Sequence, residues 1–250
     1  MELTVLGCHA GMPAAGRASS GYLVTTEKCR ILLDCGPGVA TALSASGGVA
    51  GLDAIFLSHL HPDHCHDLLP IGTSLRRVAR SSPVPLFGPE GTVALLERMG
   101  KLYGLGSPYR FEVNEYRPGE RLAVGDCALA VYGLRHVVPN CGVRIDNGKG
   151  ILAYTGDTGR TEALGRLAHG VDLLLAEATL ARRETGDYGH LSAVDAAEVA
   201  RDAGVGRLVL THLGSTDPGW VSARLAEARA VFPGPVDLAQ PGARLAVAAK

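Results

Sequence analysis

The segment Ser58-His-Leu-His-Pro-Asp-His-Cys-His-Asp67 constrains this chain more than any other stretch. It follows Ala54-Ile-Phe-Leu57, a short apolar run that reads as a buried strand. His59, His61, Asp63 and His64 fall within six positions. Imidazole and carboxylate are the groups that zinc, manganese and iron favour. In an extended segment residues i and i+2 point the same way, so His59 and His61 can grip one ion. Pro62 bends the chain and lets Asp63 and His64 face a second ion nearby. A chance histidine-rich loop or a proton-sensing patch would also crowd imidazoles, but the preceding strand argues for a built site. Cys65 and His66 read as local packing or as neighbours of the ligands.

Three isolated residues of ligand type stand where a completed site needs them. His136 follows the strand-like run Ala128–Leu134, Asp157 follows Ile151–Tyr154, and His212 follows Arg207–Leu210. Each sits at a strand's C-terminal end, where sheet-based active sites gather. Alone, each would be better read as a hydrogen-bonded histidine or a capping aspartate; after the histidine segment the three read as ligands.

Further strand-like runs are Leu3–Leu6, Tyr22–Thr25, Ile31–Asp34, Gly142–Ile145, Asp172–Ala176 and Arg244–Ala248. Helices are expected at Val39–Ser46, Leu68–Arg80, Thr92–Tyr103, Thr161–Ala168, Ala193–Ala203 and Ser222–Val231, with Ser192 and Asp195 forming a capping box. The order suggests two β-rich halves, each with helices outside, in a single domain over residues 1–250. Two sheets packed face to face with helices on both outer surfaces would bury them, although periodicity alone does not separate this from a doubly wound sheet.

Composition excludes several classes of function. The formal net charge is -1, and Arg76, Arg77 and Arg80, read as a solvated helix face, are the nearest thing to a basic cluster. A protein that grips long nucleic acid carries a basic surplus or stripe, so none is expected as partner. No apolar stretch approaches the ~20 residues of a membrane span. Met1–Leu6 enters a strand pattern without a signal peptide, and six scattered cysteines without C-x-x-C read as reduced thiols of a cytoplasmic protein.

The pattern His59-x-His61-x-Asp63-His64, then His136, Asp157 and His212, resembles the ligand set of the metallo-β-lactamase superfamily. Leu6–Pro13, Ser20–Tyr22, Leu33–Gly36, His136–Ile145, Glu177–Thr179 and Gly189–Ser192 are similar to the branch holding ribonuclease Z and the small phosphodiesterases, including phosphoribosyl cyclic and cyclic-nucleotide phosphodiesterases. The resemblance covers nearly the whole chain and implies a four-layer αββα sandwich. It implies two divalent ions, zinc by the all-nitrogen-and-oxygen donor set, with manganese or iron as alternatives. His59, His61 and His136 would bind one, Asp63, His64 and His212 the other, and Asp157 both. Transfer-RNA-processing ribonuclease Z carries a long arm between the third histidine and the bridging aspartate. Here that interval runs only from His136 to Asp157, as two strands and an Asp146-Asn-Gly148 hairpin turn.

The resemblance implies a hydrolase in which a water shared by the two ions attacks phosphorus or an acyl carbon. His190, in Gly189-His-Leu-Ser192, is the candidate general acid, and Glu177 would hold it in the right tautomer, so that His190, Asp63 and Glu177 form the expected catalytic set. The leading expectation is a phosphodiesterase on a small cyclic nucleotide or nucleotide-like diester. The alternatives are a carboxyl-type hydrolase of a lactone, thioester or β-lactam, and a non-catalytic metal-holding or sensing protein. A homodimer is expected by analogy. Asp34 could support a ligand or simply form a turn, and reads first as a turn former; His9 and His169 read as surface or packing residues, and Gly7–Gly16 as a loop near the pocket mouth. Tyr103, Tyr109, Phe111 and Tyr116 could cover the pocket or form a subunit contact, and read first as core.

Overall fold

A computed structural model describes residues 1–104 and 110–249. The first half runs β1 (Glu2–Gly7), β2 (Gly21–Thr25), β3 (Arg30–Leu33), α1 (Val39–Ala45), β4 (Ala54–Phe56), α2 (Pro62–Cys65), α3 (Leu68–Leu75), β5 (Val84–Gly88), α4 (Thr92–Leu102) and β6 (Phe111–Glu115). The second runs β7 (Arg121–Val124), β8 (Cys127–Leu134), β9 (Asn140–Asp146), β10 (Ile151–Tyr154), α5 (Glu162–Ala168), β11 (Leu173–Glu177), α6 (Ala193–Asp202), β12 (Arg207–Thr211), α7 (Pro218–Val231), β13 (Val236–Leu238) and β14 (Arg244–Ala246). They build two seven-stranded sheets, ordered β14-β1-β2-β3-β4-β5-β6 and β13-β12-β11-β10-β9-β8-β7. In each sheet four successive strands are parallel, β3 to β6 and β10 to β13.

Alternating side chains explain the layering. From β3, Ile31 and Leu33 join the core between the sheets, whereas Leu32 packs outward with Val39, Leu43, Leu68 and Ile71 of α1 and α3. From β11, Leu173 and Leu175 face the inner core, and Leu174 and Ala176 pack outward with Leu164, Leu167, Ala196 and Ala200 of α5 and α6. Strands covered on both faces read as unbroken apolar runs because neither face meets water. This is the αββα sandwich. Among the described residues, no helix is long and apolar enough to cross a membrane.

The Ser192–Asp195 capping box is present in full, and Arg160 and Arg183 pair with the same Asp195 carboxylate. Helix α7 starts earlier than residue 222, at Pro218, with Asp217 accepting from the Trp220 N–H. Helix α3 ends at Leu75, so Arg76, Arg77 and Arg80 lie beyond it; Arg80 reaches the Ala50 carbonyl. Four strands escaped the sequence reading. Pro85 supplies no N–H to β5, the partly exposed strands β6 and β7 carry mixed polar and apolar residues, and β13 is three residues long. The β9–β10 hairpin is real, but Asp146 pairs with Ile151, so its loop is longer than two residues. Tyr116 stacks on Phe56 in the core between the sheets and Phe111 packs against the outer layer, whereas Tyr103 is exposed and Tyr109 lies outside the described residues.

Candidate metal centre

The strand ends converge on one rim of the sandwich. Strand β4 runs directly into buried Ser58 and His59. His61 then caps α2, with Pro62 at its first position, and this single turn carries Asp63 and His64. His136 follows β8, Asp157 follows β10, Glu177 ends β11, and His212 follows β12. Asp34 and His212 have positive φ values of 56° and 50°. A non-glycine residue held there costs about 1–3 kcal/mol, and such strain collects at functional sites.

The ligand-type side chains form two groups. In the first, His59 Nε2 lies 3.1 Å from His61 Nδ1, which lies 3.2 Å from His136 Nε2, and Asp157 Oδ2 stands 3.8 Å from His59 Nε2. In the second, His64 Nε2 is 3.3 Å from His212 Nε2, His212 Nε2 is 3.2 Å from Asp63 Oδ2, and Asp157 Oδ1 is 3.3 Å from His64 Nε2. Zinc bonds of ~2.0–2.2 Å place the corners of a tetrahedron about 3.3–3.5 Å apart, close to these spacings. Asp157 turns one oxygen to each group. Its Oδ1 is buried without a hydrogen-bond partner. That orphaned acceptor and the imidazole nitrogens aimed at one another fit a divalent cation at the centre of each group.

The outward nitrogens of His59, His64, His136 and His212 are already committed. His64 Nδ1–H donates to Asp34 Oδ2 at 2.7 Å. His59 Nδ1–H donates to Ser58 Oγ at 3.0 Å, and Ser58 donates in turn to Asp34 at 2.7 Å. His136 Nδ1–H donates to the Gly189 carbonyl, and His212 Nδ1–H to Thr179 Oγ1 at 2.8 Å. Each arrangement leaves Nε2 with its lone pair facing inward. Asp34 is therefore no simple turn former. It anchors one histidine of each group and also accepts from Tyr154 Oη at 2.6 Å. An Asp34→Ala protein is expected to bind metal about 10–100-fold more weakly, measured by competition with a chromogenic chelator. Unchanged affinity would show that Asp34 only packs.

Burial pushes the His59 and His61 pKa values down, with neighbouring histidines adding to the effect. Burial opposes ionisation of Asp63 and Asp157, yet His212 and His64 outweigh it and hold both below the usual carboxylate range. Neutral imidazole and ionised carboxylate are the forms that bind metal. For His64, the charges of Asp157 and Asp34 overcome burial and raise the pKa.

Beside both groups stands His190. Its ring centroid is 5.0 Å from that of His136 and 6.1 Å from that of His212. Its Nδ1 lies 2.8 Å from Oε1 of fully buried Glu177. Burial would lower the His190 pKa, but the hydrogen bond and charge of Glu177 prevail and raise it. Glu177 also accepts from Thr158 N and from Thr179 Oγ1, so one carboxylate orients His190 directly and His212 through Thr179. On the other side, the Gly11 N–H donates to Asp63 Oδ2 at 2.9 Å, which brings the Gly7–Gly16 loop to the mouth as expected. Cys65 packs in the outer core and His66 is half exposed.

The beta-lactamase superfamily domain, as a family model, matches residues 29–213. The chain belongs to the metallo-β-lactamase superfamily. It is a metal-dependent hydrolase of the ribonuclease Z-like branch. It is 30% identical to a probable metallo-hydrolase, YhfI, of Bacillus subtilis, over 97% of this chain and 98% of the relative. The crystal structure of YhfI superposes with a TM-score of 0.88 at 28% identity, covering 98% of this chain and 99% of the other. A ribonuclease Z of Bradyrhizobium is 31% identical over 93% of this chain and 95% of the relative. A diphosphatase of the PhnP family shares the fold, with a TM-score of 0.77, 21% identity, and coverage of 98% of this chain and 96% of the other.

For this superfamily member, the seven ligand-type residues read from the sequence all meet at the rim, as do His190 and Glu177. The roles of Ser58, Thr179 and the Gly11 N–H were missed, and Asp34, weighed as a support for the ligands, was read first as a turn former. Asp34 follows a strand just as Asp157 does, but no local signal tells that its partners come from β4, α2 and β10.

Proposed function

We propose that this hydrolase is a binuclear phosphodiesterase acting on a small, nucleotide-like diester. The observation that carries the reading is the Glu177–His190 dyad standing between a histidine of each ligand group. His59, His61 and His136 would hold one ion and Asp63, His64 and His212 the other, with one oxygen of Asp157 on each; zinc suits the donor set and spacing. When bound, such a pair lowers the pKa of water toward neutrality and neutralises charge developing on a phosphoryl group. The protein supplies the rest. His190 gives Nδ1–H to Glu177 and so presents Nε2–H toward a leaving oxygen, which takes that proton as the ester bond breaks. Glu177 keeps the ring in that orientation through transfer. Asp63, more exposed than Asp157 and steadied by the Gly11 N–H, orients what enters from solvent.

The mouth favours a small substrate with a flat apolar part. Met12, Val137 and Tyr188 are 58%, 54% and 72% exposed. Met12 follows Gly11, Val137 follows His136, and Tyr188 lies two residues before His190, with the Val137 N–H donating to its carbonyl. Three exposed apolar side chains on loops that also carry site residues make a rim suited to a nucleobase. Between His136 and Asp157 the chain forms only the β9–β10 hairpin, which offers no arm to hold a large RNA.

The test is turnover of 3′,5′- and 2′,3′-cyclic nucleotides, with a base-free cyclic ribose phosphate for comparison, by zinc- or manganese-loaded protein. Cleavage that an Asp157→Ala blank lacks would support the reading. No diester cleavage, together with lactone or thioester hydrolysis at full metal content, would replace it with a carboxyl-type hydrolase. Tyr188→Ala is expected to raise KM for the nucleotides about 5–30-fold, from ~1–2 kcal/mol of stacking, and to leave the base-free ester unchanged. An equal effect on both substrates would remove Tyr188 from base recognition.

A further inference from the structure

At the far end of the sandwich, a second cluster of metal-type side chains lies where the two sheets meet. Cys29 stands at the turn between β2 and β3 of one sheet, and Asp126 and Cys127 stand at the β7–β8 turn of the other. Strand β3 runs from Cys29 toward Asp34, and β8 from Cys127 toward His136. A rise of ~3.3 Å per residue therefore separates this cluster from the metal centre by about 15–30 Å.

Cys29 Sγ lies 3.6 Å from Cys127 Sγ and 3.5 Å from Asp126 Oδ1. Thr26 Oγ1 completes the group, 2.5 Å from Asp126 Oδ1 and 3.4 Å from Cys29 Sγ. Zinc bonds of ~2.3 Å to sulfur and ~2.0–2.2 Å to oxygen place two sulfur corners of a tetrahedron about 3.8 Å apart, and sulfur and oxygen corners about 3.5 Å apart. The observed edges are close to both. The turns are built to bring these groups together. Val124 pairs with Cys127 across Gly125-Asp126, and Gly125 has φ +57°, with its missing Cβ falling 2.7 Å from Cys29 Cβ. The Thr26 hydroxyl accepts from the Lys28 and Cys29 N–H groups, which fixes the opposing turn.

Other buried thiols behave differently. Cys8, Cys35 and Cys65 each donate to a backbone carbonyl, which satisfies an ordinary core cysteine. Cys29 and Cys127 face each other and a carboxylate instead. Burial and the Cys29 sulfur raise the Cys127 thiol to about 12, so a cation would bind by displacing protons.

We propose that Cys29, Cys127 and Asp126 form a second cation site, for a thiophilic divalent ion of the zinc class, with solvent at the fourth corner and Thr26 Oγ1 steadying the Asp126 carboxylate. The ion would tie the two sheets together at the end remote from hydrolysis. The site is independent of the substrate of the metal centre. Its spectroscopic signature is equally separate, because none of the seven ligand-type residues of that centre offers sulfur.

Titration of the reduced, full-length protein with Cd²⁺ is expected to produce a thiolate-to-metal charge-transfer band with a stoichiometry of one ion. Asp157→Ala should keep the band, and Cys29→Ser or Cys127→Ser should abolish it. Asp126→Ala, a substitution at a partly exposed turn, should keep the fold and weaken Cd²⁺ binding by at least about 10–100-fold, the loss seen for supporting ligands. No band in the reduced wild type, a band that survives both cysteine substitutions, or unchanged affinity in Asp126→Ala would overturn the proposal. So would a Cys29–Cys127 disulfide in protein purified without reductant that re-forms after reduction and Cd²⁺ exposure, since the pair would then be a redox link.

Discussion

Asp157→Ala is expected to lose both metals and to lower turnover at least about 10⁴-fold. Among the described residues, this carboxylate alone places an oxygen in each ligand group, with Oδ1 3.3 Å from His64 Nε2 and Oδ2 3.8 Å from His59 Nε2. Removing it takes away one donor from each site and also the negative charge that offsets two cations in a buried space. Bound ions bring the pKa of water from 15.7 to ~7, so losing them removes nearly all nucleophile at neutral pH. Elemental analysis of the purified variant should show little metal, and excess zinc should not restore turnover. Chelation of the wild type should reproduce the loss, with recovery on adding metal back. Normal metal content with normal turnover in the variant would mean that Asp157 is only a buried hydrogen-bonding group.

His190→Ala should behave differently, keeping its metals and losing chemistry. A diester that expels an alkoxide needs a proton on the leaving oxygen, and a positioned general acid is worth about 10²–10⁴-fold in kcat. A p-nitrophenyl ester expels an anion that is stable without a proton, so the same variant should cleave it at nearly the wild-type rate. The contrast between leaving groups separates proton donation from packing, since a distorted pocket would slow both substrates alike. His190 is suited to the role by geometry: Glu177 holds Nδ1, and the rings of His136 and His212 flank it. Glu177→Gln tests the support. It should lower kcat on the alkoxide substrate, because Glu177 holds His190 directly, and also weaken the His212 side of the metal centre, because Thr179 Oγ1 links Glu177 to His212.

Much of the site was legible because its residues are local or sit at recognisable strand ends. His59, His61, Asp63 and His64 crowd one short segment after an apolar strand, and that pattern has few uses besides holding metal. The capping box at Ser192 was equally plain, since both halves of it lie within four residues. Strand β5 was hidden by Pro85, and β6 and β7 by mixed polar patterns at the sheet edges, where one side of the ladder is open. Asp34 was misread for another reason. As an aspartate after a strand it is locally indistinguishable from a turn former, and its function resides in contacts with Ser58, His64 and Tyr154.

The sequence by itself determined the two β-rich halves and the ligand-type residues, because apolar strand runs and closely spaced ligands are encoded over a few positions, and the family resemblance they carry implied the layers and the class of chemistry. Only the tertiary structure decided which nitrogen of each histidine faces inward, that Asp34 and Glu177 each brace more than one histidine, and that Cys29 meets Cys127 across the two sheets. These depend on side chains brought from distant strands to within hydrogen-bonding or van der Waals reach. Packing of the two sheets sets those distances, and no local spacing records them.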